Sequence, residues 1–316
     1  MTAPVWRNSI VTDLPEGLPL LDWDAGTVVV EPPEGRPGAW AGGPSALVVD
    51  GVHYLAYRMR RPVGEGRGYA NVLARSADGV RFETVAVVEK DAFGAESLER
   101  PAVVVTPEGR WRMYVSAAIP GTRGWRVDLL EAATPEGLAT AAPRTVLPCT
   151  GQAAPKDPVI VHHDGRWHLW ASVHPLDDPS ATDRMTTEHA TSLDGVDWQW
   201  QGTALAGRPG LWDARGVRLS AVLVDGDRLL AYYDGRATPG QNWEEQTGVA
   251  VGSLPAGTFT ALGEEPVLVS PHAPGGLRYV TVVPVAEGWR AYYEATRADG
   301  AHELRTELVR RVAAAA

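Results

Sequence analysis

The chain has 316 residues with 34 glycines and 25 prolines but no period of three, which excludes collagen, and its 44% hydrophobic content excludes a disordered polymer. Its net charge of −10, from 29 basic and 39 acidic residues with no basic run, excludes a nucleic-acid footprint. No apolar run approaches the ~18 residues needed to cross a bilayer, so neither nucleic acid nor membrane is an expected partner.

Self-similarity sets the elements. After a strand at 26–31, a short apolar strand, an acidic-Gly turn and an aromatic-rich strand recur five times, beginning at Pro44, Pro101, Pro158, Leu219 and Val280. The turns begin at Asp50, Glu108, Asp164, Asp225 and Glu287, spaced by 58, 56, 61 and 62 residues. Asp-Gly or Glu-Gly between such runs is a hairpin signal, because both central residues must tolerate positive φ. Further alternating runs follow, at 70–75 and 81–88 in the first copy and 186–192 and 198–205 in the third.

Each copy therefore reads as a four-stranded antiparallel meander, and five of them predict an all-β, five-bladed β-propeller with four antiparallel strands per blade. The expected single domain spans 1–316. Its blades fall at 40–90, 99–148, 156–206, 215–270 and 278–311, the last closed by the N-terminal strand 26–31. A sandwich or solenoid of hairpins is the competing topology. Ser76-Ala-Asp78-Gly79 and Ser192-Leu-Asp194-Gly195 read as plain turns that support the fold.

In a propeller the first strands line the axis, and residues starting them meet residues leaving the second strands at one mouth. Those starting them are Gly42-Gly43, Glu99-Arg100, Lys156-Asp157, Asp213 through Arg218, and Arg278-Tyr279. Those leaving the second strands are Arg58, Arg60, His174, Asp234, Arg236 and Glu294. Buried unpaired charge costs several kcal/mol, so this concentration predicts a polar pocket. Pairs such as Arg215 with Asp234, or Arg100 with Asp157, could instead fasten neighbouring blades. Only Lys90 and Lys156 are lysines, which sets Lys156 apart.

The first repeat, from Gly43-Pro44-Ser45 through Tyr57-Arg58 with Arg75-Ser76-Ala77-Asp78-Gly79, resembles the opening blade of glycoside hydrolase family 130. Lys156-Asp157 resembles that family's third-blade Lys-Asp. Glu99-Arg100-Pro101 and Lys156-Asp157-Pro158 resemble the acidic-Pro motifs of the wider five-bladed glycosidase superfamily, including families 43, 32 and 62. The resemblance implies cleavage of a glycosidic bond in a small glycoside or oligosaccharide. It also departs from the pattern: the first-blade Asp of the furanosidases is Gly43 here.

Such cleavage needs one carboxyl group protonated and one ionised. The expected catalytic residues are Glu99 as acid, Asp157 as base or nucleophile, and Asp213 tuning them or binding hydroxyls. Arg100 and Lys156 beside them oppose an acid role for Glu99. Arg100, Lys156, Arg215, Asp234, Arg236, His174, Trp212 and Trp243 are the expected substrate-binding residues, aromatic faces stacking on sugar rings and guanidinium forks holding hydroxyls or oxyanions. Packing between blades is the competing role for the two tryptophans. A noncatalytic sugar- or anion-binding propeller, and a lyase or isomerase using the same pocket, are the alternatives.

No metal and no cofactor is expected, since His162 and His163 are adjacent on a strand and point to opposite faces. Cys149 is the one cysteine, with no paired His evident, and is not expected to be a catalytic thiol. A lone cysteine and an N-terminal stretch, 1–7, without a signal-peptide pattern point to a cytoplasmic protein. The oligomeric state stays open.

Overall fold

A computed structural model of the chain describes residues 15–310; the stretch 1–7 and residue 311 lie outside the described residues. The regular structure of the described chain is twenty strands with four short 3-10 turns. A first strand, β1 (Thr27–Val30), is followed by β2 (Trp40–Val49), β3 (Val52–Arg60), β4 (Gly68–Ser76) and β5 (Glu83–Glu89). Then come β6 (Leu98–Val105), β7 (Trp111–Ala118), β8 (Trp125–Ala132) and β9 (Arg144–Leu147), and β10 (Ala153–His163), β11 (Arg166–Pro175), β12 (Thr186–Ser192) and β13 (Gln199–Leu205). The series ends with β14 (Gly216–Asp225), β15 (Arg228–Arg236), β16 (Gln246–Ser253) and β17 (Thr258–Leu262), then β18 (Leu277–Val285), β19 (Gly288–Thr296) and β20 (His302–Arg310).

Strands β6–β9, β10–β13 and β14–β17 each form a four-stranded antiparallel sheet in chain order. The remaining strands form one eight-stranded sheet, ordered β18-β19-β20-β2-β3-β4-β5 with β1 antiparallel on β20. Its two halves meet at a single parallel pair, Trp40 opposite His302. The turn residues Asp50 and Asp164 take φ of 51° and 47°, and Gly51 and Gly165 take 77° and 73°, the left-handed geometry of a tight hairpin. Asp78 and Asp194 cap the next turns, each accepting two backbone N–H groups and its neighbouring serine hydroxyl.

The core is divided among the gaps between successive meanders. Leu73 and Val88 pack on Val103 and Met113; Tyr114 and Leu129 on Leu169 and Ala190; Trp170 and Val159 on Leu219 and Ala231. Tyr232 and Val249 then pack on Val280 and Ala291, and the cycle returns where Val283, Tyr292 and Leu304 pack on Leu55 and Val72. The first strands β2, β6, β10, β14 and β18 contact one another in sequence, and β18 contacts β2. Side chains on those strands face a common axis.

Candidate active site

The five first strands share a local irregularity. Each slips register against its hairpin partner: β2 between Gly42 and Ser45, β6 between Leu98 and Pro101, β10 between Lys156 and Val159, β14 between Leu219 and Ala221, β18 between Arg278 and Thr281. A bulge sets two residues against one and re-aims the extra side chain. At Asp157 and Tyr279 the backbone is left-handed, φ 51° and 55°, a strain of about 1–3 kcal/mol for a non-glycine residue. Hydrogen bonds hold both: Asp157 N–H donates to Ser116 Oγ at 2.8 Å, and Tyr279 N–H to Asp234 Oδ1 at 2.9 Å.

Glu99, Lys156, Arg278 and Tyr279, from three of these bulges, line a cavity of about 160 Å³. Seven cations line it, Arg58, Arg67, Arg123, Lys156, Arg218, Arg236 and Arg278, against four carboxylates, Glu96, Glu99, Asp183 and Glu245. In a chain whose net charge is −10 this lining is locally cationic. An apolar cavity of about 150 Å³ holds benzene, so the space suits one six-membered ring.

A continuous ion-pair network forms the wall. Glu99 bonds Arg58 and lies 3.5 Å from Arg60 Nη1. Arg58 Nη2 donates to Glu294 Oε2 at 2.9 Å, Arg278 donates to Glu294 Oε1 at 2.7 and 2.9 Å, and Arg278 Nη1 reaches Glu245 Oε2 at 2.5 Å. Glu245 also bonds Arg236. On the other side Arg218 bonds Asp234 Oδ2 at 2.8 and 3.1 Å and Asp157 Oδ2 at 3.3 Å, where Tyr279 Oη joins at 3.1 Å and Lys156 Nζ at 3.4 Å. Arg60 stacks 3.9 Å over Trp40 and 4.9 Å over Trp243, and Lys156 sits 4.6 Å over Trp125.

This network sets protonation. Burial alone would raise the Glu99 carboxyl, but Arg58, Lys156, Arg60 and Arg67 outweigh it and hold Glu99 well below the usual carboxylate range. Glu245 and Glu294 are depressed in the same way, by Arg278 with Arg236 and Arg218, and by Arg278 with Arg58 and His302. Burial pushes Asp234 up to about 6 against the pull of Arg218. Burial lowers Lys156 from its ordinary 10.5, opposed by Asp157 and Glu99. It also drives His174 down to about 3, with Lys156 and Arg236 adding to the effect. His174 is therefore neutral; Nδ1–H donates to the Thr182 carbonyl at 2.8 Å, so Nε2, which has no partner, carries a bare lone pair. Such a nitrogen accepts a hydroxyl proton.

Of the residues expected at the site, Glu99, Lys156, Arg236, His174 and Trp243 line the cavity together. Asp157 and Asp234 lie behind that lining, each bonded to Arg218. The other four are elsewhere. Asp213 is buried away from the cavity, its Oδ2 accepting from Arg208 Nε and Tyr233 Oη at 2.8 Å each. Trp212 stacks on Tyr233 at 5.5 Å, in the space left by Gly235 and Gly248. Arg215 is clamped by Asp183 at 2.7 and 2.8 Å rather than by Asp234. Arg100 meets no carboxylate; it donates to the carbonyls of Pro44, Pro158 and Ser220 at 3.0, 3.0 and 2.8 Å and borders a separate space further along the axis. A guanidinium bonded to three strands' backbone is a pin between blades, so its expected place in the substrate pocket does not hold.

The vacancy at Gly43 is filled from the far end of the chain. Gly43 N–H donates to Glu294 Oε2 at 2.9 Å, and a Cβ at Gly42 would stand 1.9 Å from that same oxygen. Arg58, Arg218 and Arg278, expected at the mouth without a role in binding, join the lining, and Glu245 is a lining residue that the sequence reading missed. Register offered a signal: Arg218 lies opposite Asp234 and Arg278 opposite Glu294, pairs that counting back from the hairpin turns reveals. Glu245, Trp125 and Asp183 come from loops or outer strands and left no such mark.

The sequence profile of the Glycosyl hydrolases family 32 N-terminal domain matches residues 154–279, the stretch holding Lys156, Asp157, Arg218, Arg236, Glu245 and Arg278. A curated relative from Vibrio cholerae serotype O1, named Probable sucrose-6-phosphate hydrolase, is 33% identical over 106 residues, 33% of this chain and 19% of that protein. The chain thus spans about a fifth of the curated relatives it matches. The family 43 glycoside hydrolase from Xanthomonas citri complexed with xylotriose superposes with a TM-score of 0.63 at 16% identity, covering 89% of this chain and 90% of that one. A structure described within the family 130 mannoside phosphorylases, as a glycoside hydrolase targeting β-1,2 mannosidic linkages in Candida mannan, gives 0.64 at 16% identity over 95% and 98%. The fold is that of these propeller glycosidase structures.

Proposed function

We propose that the chain is a five-bladed propeller enzyme that hydrolyses the glycosidic bond of a small glycoside whose sugar carries an anionic group. The five cores that close on themselves, with β1 completing the β18–β20 meander, support the blade count. One observation carries the function: the axial cavity presents ionised Glu99, a depressed Lys156, a bare His174 nitrogen and the Trp243 face within a glycosidase fold. The seven-to-four excess of cations over carboxylates supports a phosphate, sulfate or carboxylate on the ring, as does the name sucrose-6-phosphate hydrolase borne by curated relatives.

In this reading Glu99 takes the anionic role. A carboxylate held ionised by Arg58 and Arg60 neither lends nor readily takes a proton, but it orients the attacking water and stabilises positive charge at the anomeric carbon. In its protonated form Lys156, whose pKa burial lowers, gives a proton to the leaving oxygen. Water adds across the bond, its proton passes to solvent, and solvent returns a proton to Lys156. Asp157 lies behind Lys156 and Arg218 and positions them, while His174 Nε2 accepts a ring hydroxyl.

The test is sugar release from a panel of neutral and phosphorylated glycosides by wild type, Glu99→Gln, Lys156→Met and Asp157→Asn. Loss of a general acid or base costs about 10²- to 10⁴-fold. Unchanged turnover in Glu99→Gln and Lys156→Met sinks the assignment. Calorimetric binding of the sugar phosphate without any product favours the noncatalytic binding alternative.

A further inference from the structure

The axial cavity does not end at its rim. A groove of about 430 Å³ adjoins it and shares four lining residues with it: Thr122, Arg123, Gly124 and Thr182. Beyond that border its walls change character, to Ile119, Cys149, Leu176 and Pro179. The floor is continuous, because Cys149 and Leu176 pack on the small cluster containing Trp125, which itself lines the cavity. The walls are the loop after β7, the segment before β10 and the loop after β11.

From this geometry we infer that the groove is a binding site for an apolar, aromatic leaving group, which makes the substrate an aryl glycoside rather than an oligosaccharide. The inference rests on the hydrolase reading. A second sugar would offer its hydroxyls to walls of Ile119, Leu176 and Pro179 that cannot bond them, with Thr122, Thr182 and Arg123 the groove's polar side chains apart from the Cys149 thiol. An aromatic ring loses nothing there and gains the aliphatic walls. Arg123, which has no ion pair among the described residues, stands at the junction and can stack on a π-face. Pocket and groove thus divide one substrate into a charged, hydrogen-bonded ring and a hydrophobic one.

Cys149, half-buried in the groove and unique in the chain, reports occupancy without any turnover. The experiment measures alkylation of Cys149 by iodoacetamide in the presence of p-nitrophenol, methyl glucoside or sucrose. It is run on wild type, Leu176→Gln and Pro179→Asp, the last an exposed loop position. In parallel, turnover of p-nitrophenyl and methyl 6-phosphoglycosides is compared. The site predicts that p-nitrophenol slows alkylation in wild type while the two sugars do not, and that both variants lose the protection. It also predicts that aryl substrates exceed methyl ones by about tenfold in kcat/KM. Protection by sucrose equal to that by p-nitrophenol, or no protection by either, overturns the inference, as does a methyl glycoside cleaved as fast as its aryl counterpart. Aromatic protection of Cys149 with no glycoside cleaved at all would support the site while sinking the hydrolase reading.

Discussion

Arg100→Met removes the axial pin while keeping most of its stem. The wild-type guanidinium satisfies the carbonyls of Pro44, Pro158 and Ser220, which belong to three different meanders, and is itself buried. Each abandoned buried acceptor costs about 1–3 kcal/mol. Part of that sum is returned, because burial already penalises the Arg100 charge, pulling its pKa down to about 10. A net loss of roughly 3–5 kcal/mol remains from the three abandoned acceptors. At about 2–4 °C per kcal/mol for a chain of this size, the melting temperature should fall by roughly 10 °C. Urea unfolding followed by tryptophan fluorescence gives the free energy, and kcat/KM below the transition should be unchanged. A loss under about 1 kcal/mol, or a fall in kcat/KM without one in stability, refutes the pin.

Gly42→Ala should be the most damaging small substitution in the network, since its Cβ would meet Glu294 Oε2 at 1.9 Å; a loss of at least about 3 kcal/mol by denaturant titration is expected. Asp213→Asn should cost about 1–3 kcal/mol through Arg208 and Tyr233 and leave kcat/KM unchanged, which steady-state assays at saturating and limiting substrate would check. For pH, Glu99, Glu245 and Glu294 have folded pKa values below their ordinary 4.5, so their stabilisation is present above that value and lost as pH falls through the depressed ones. Asp234 works the opposite way: raised to about 6, it stabilises below its ordinary 3.8 and loses that contribution as pH rises through 6. With three groups against one, melting temperatures should drop on acidification below about pH 5, and Asp234→Asn should steepen the drop.

The hairpins were legible because their signals are local. Asp50-Gly51 and Asp164-Gly165 need left-handed backbone at neighbouring residues, and alternating runs flank them, so turn and strands can be read within a dozen residues. The site was legible chiefly where its residues start a first strand or, like His174 and Arg236, leave a second one. Glu99 and Lys156 met that condition and line the cavity. Asp213 met it as well and does not, because Gly235 and Gly248 opposite it leave room for the Trp212 ring, and Trp212-Asp213 turns into that room. Glu294 occupying the place of a first-blade side chain joins residues 251 apart, a contact that periodicity cannot report. Glu245 follows an irregular loop with Trp243 at φ 76°, so no strand alternation fixed its direction. Arg100 deceived for a different reason: a charged residue next to Glu99 looks like a ligand-binding group until the three carbonyls it serves are in view.

The most direct measurement of the central claim is kcat/KM for wild type and Glu99→Gln on phosphorylated glycosides, with the fold of the variant verified by its melting curve. Hydrolysis by wild type and a fall of about 10²-fold or more in the folded variant is the predicted result. Equal rates in the two proteins would contradict it.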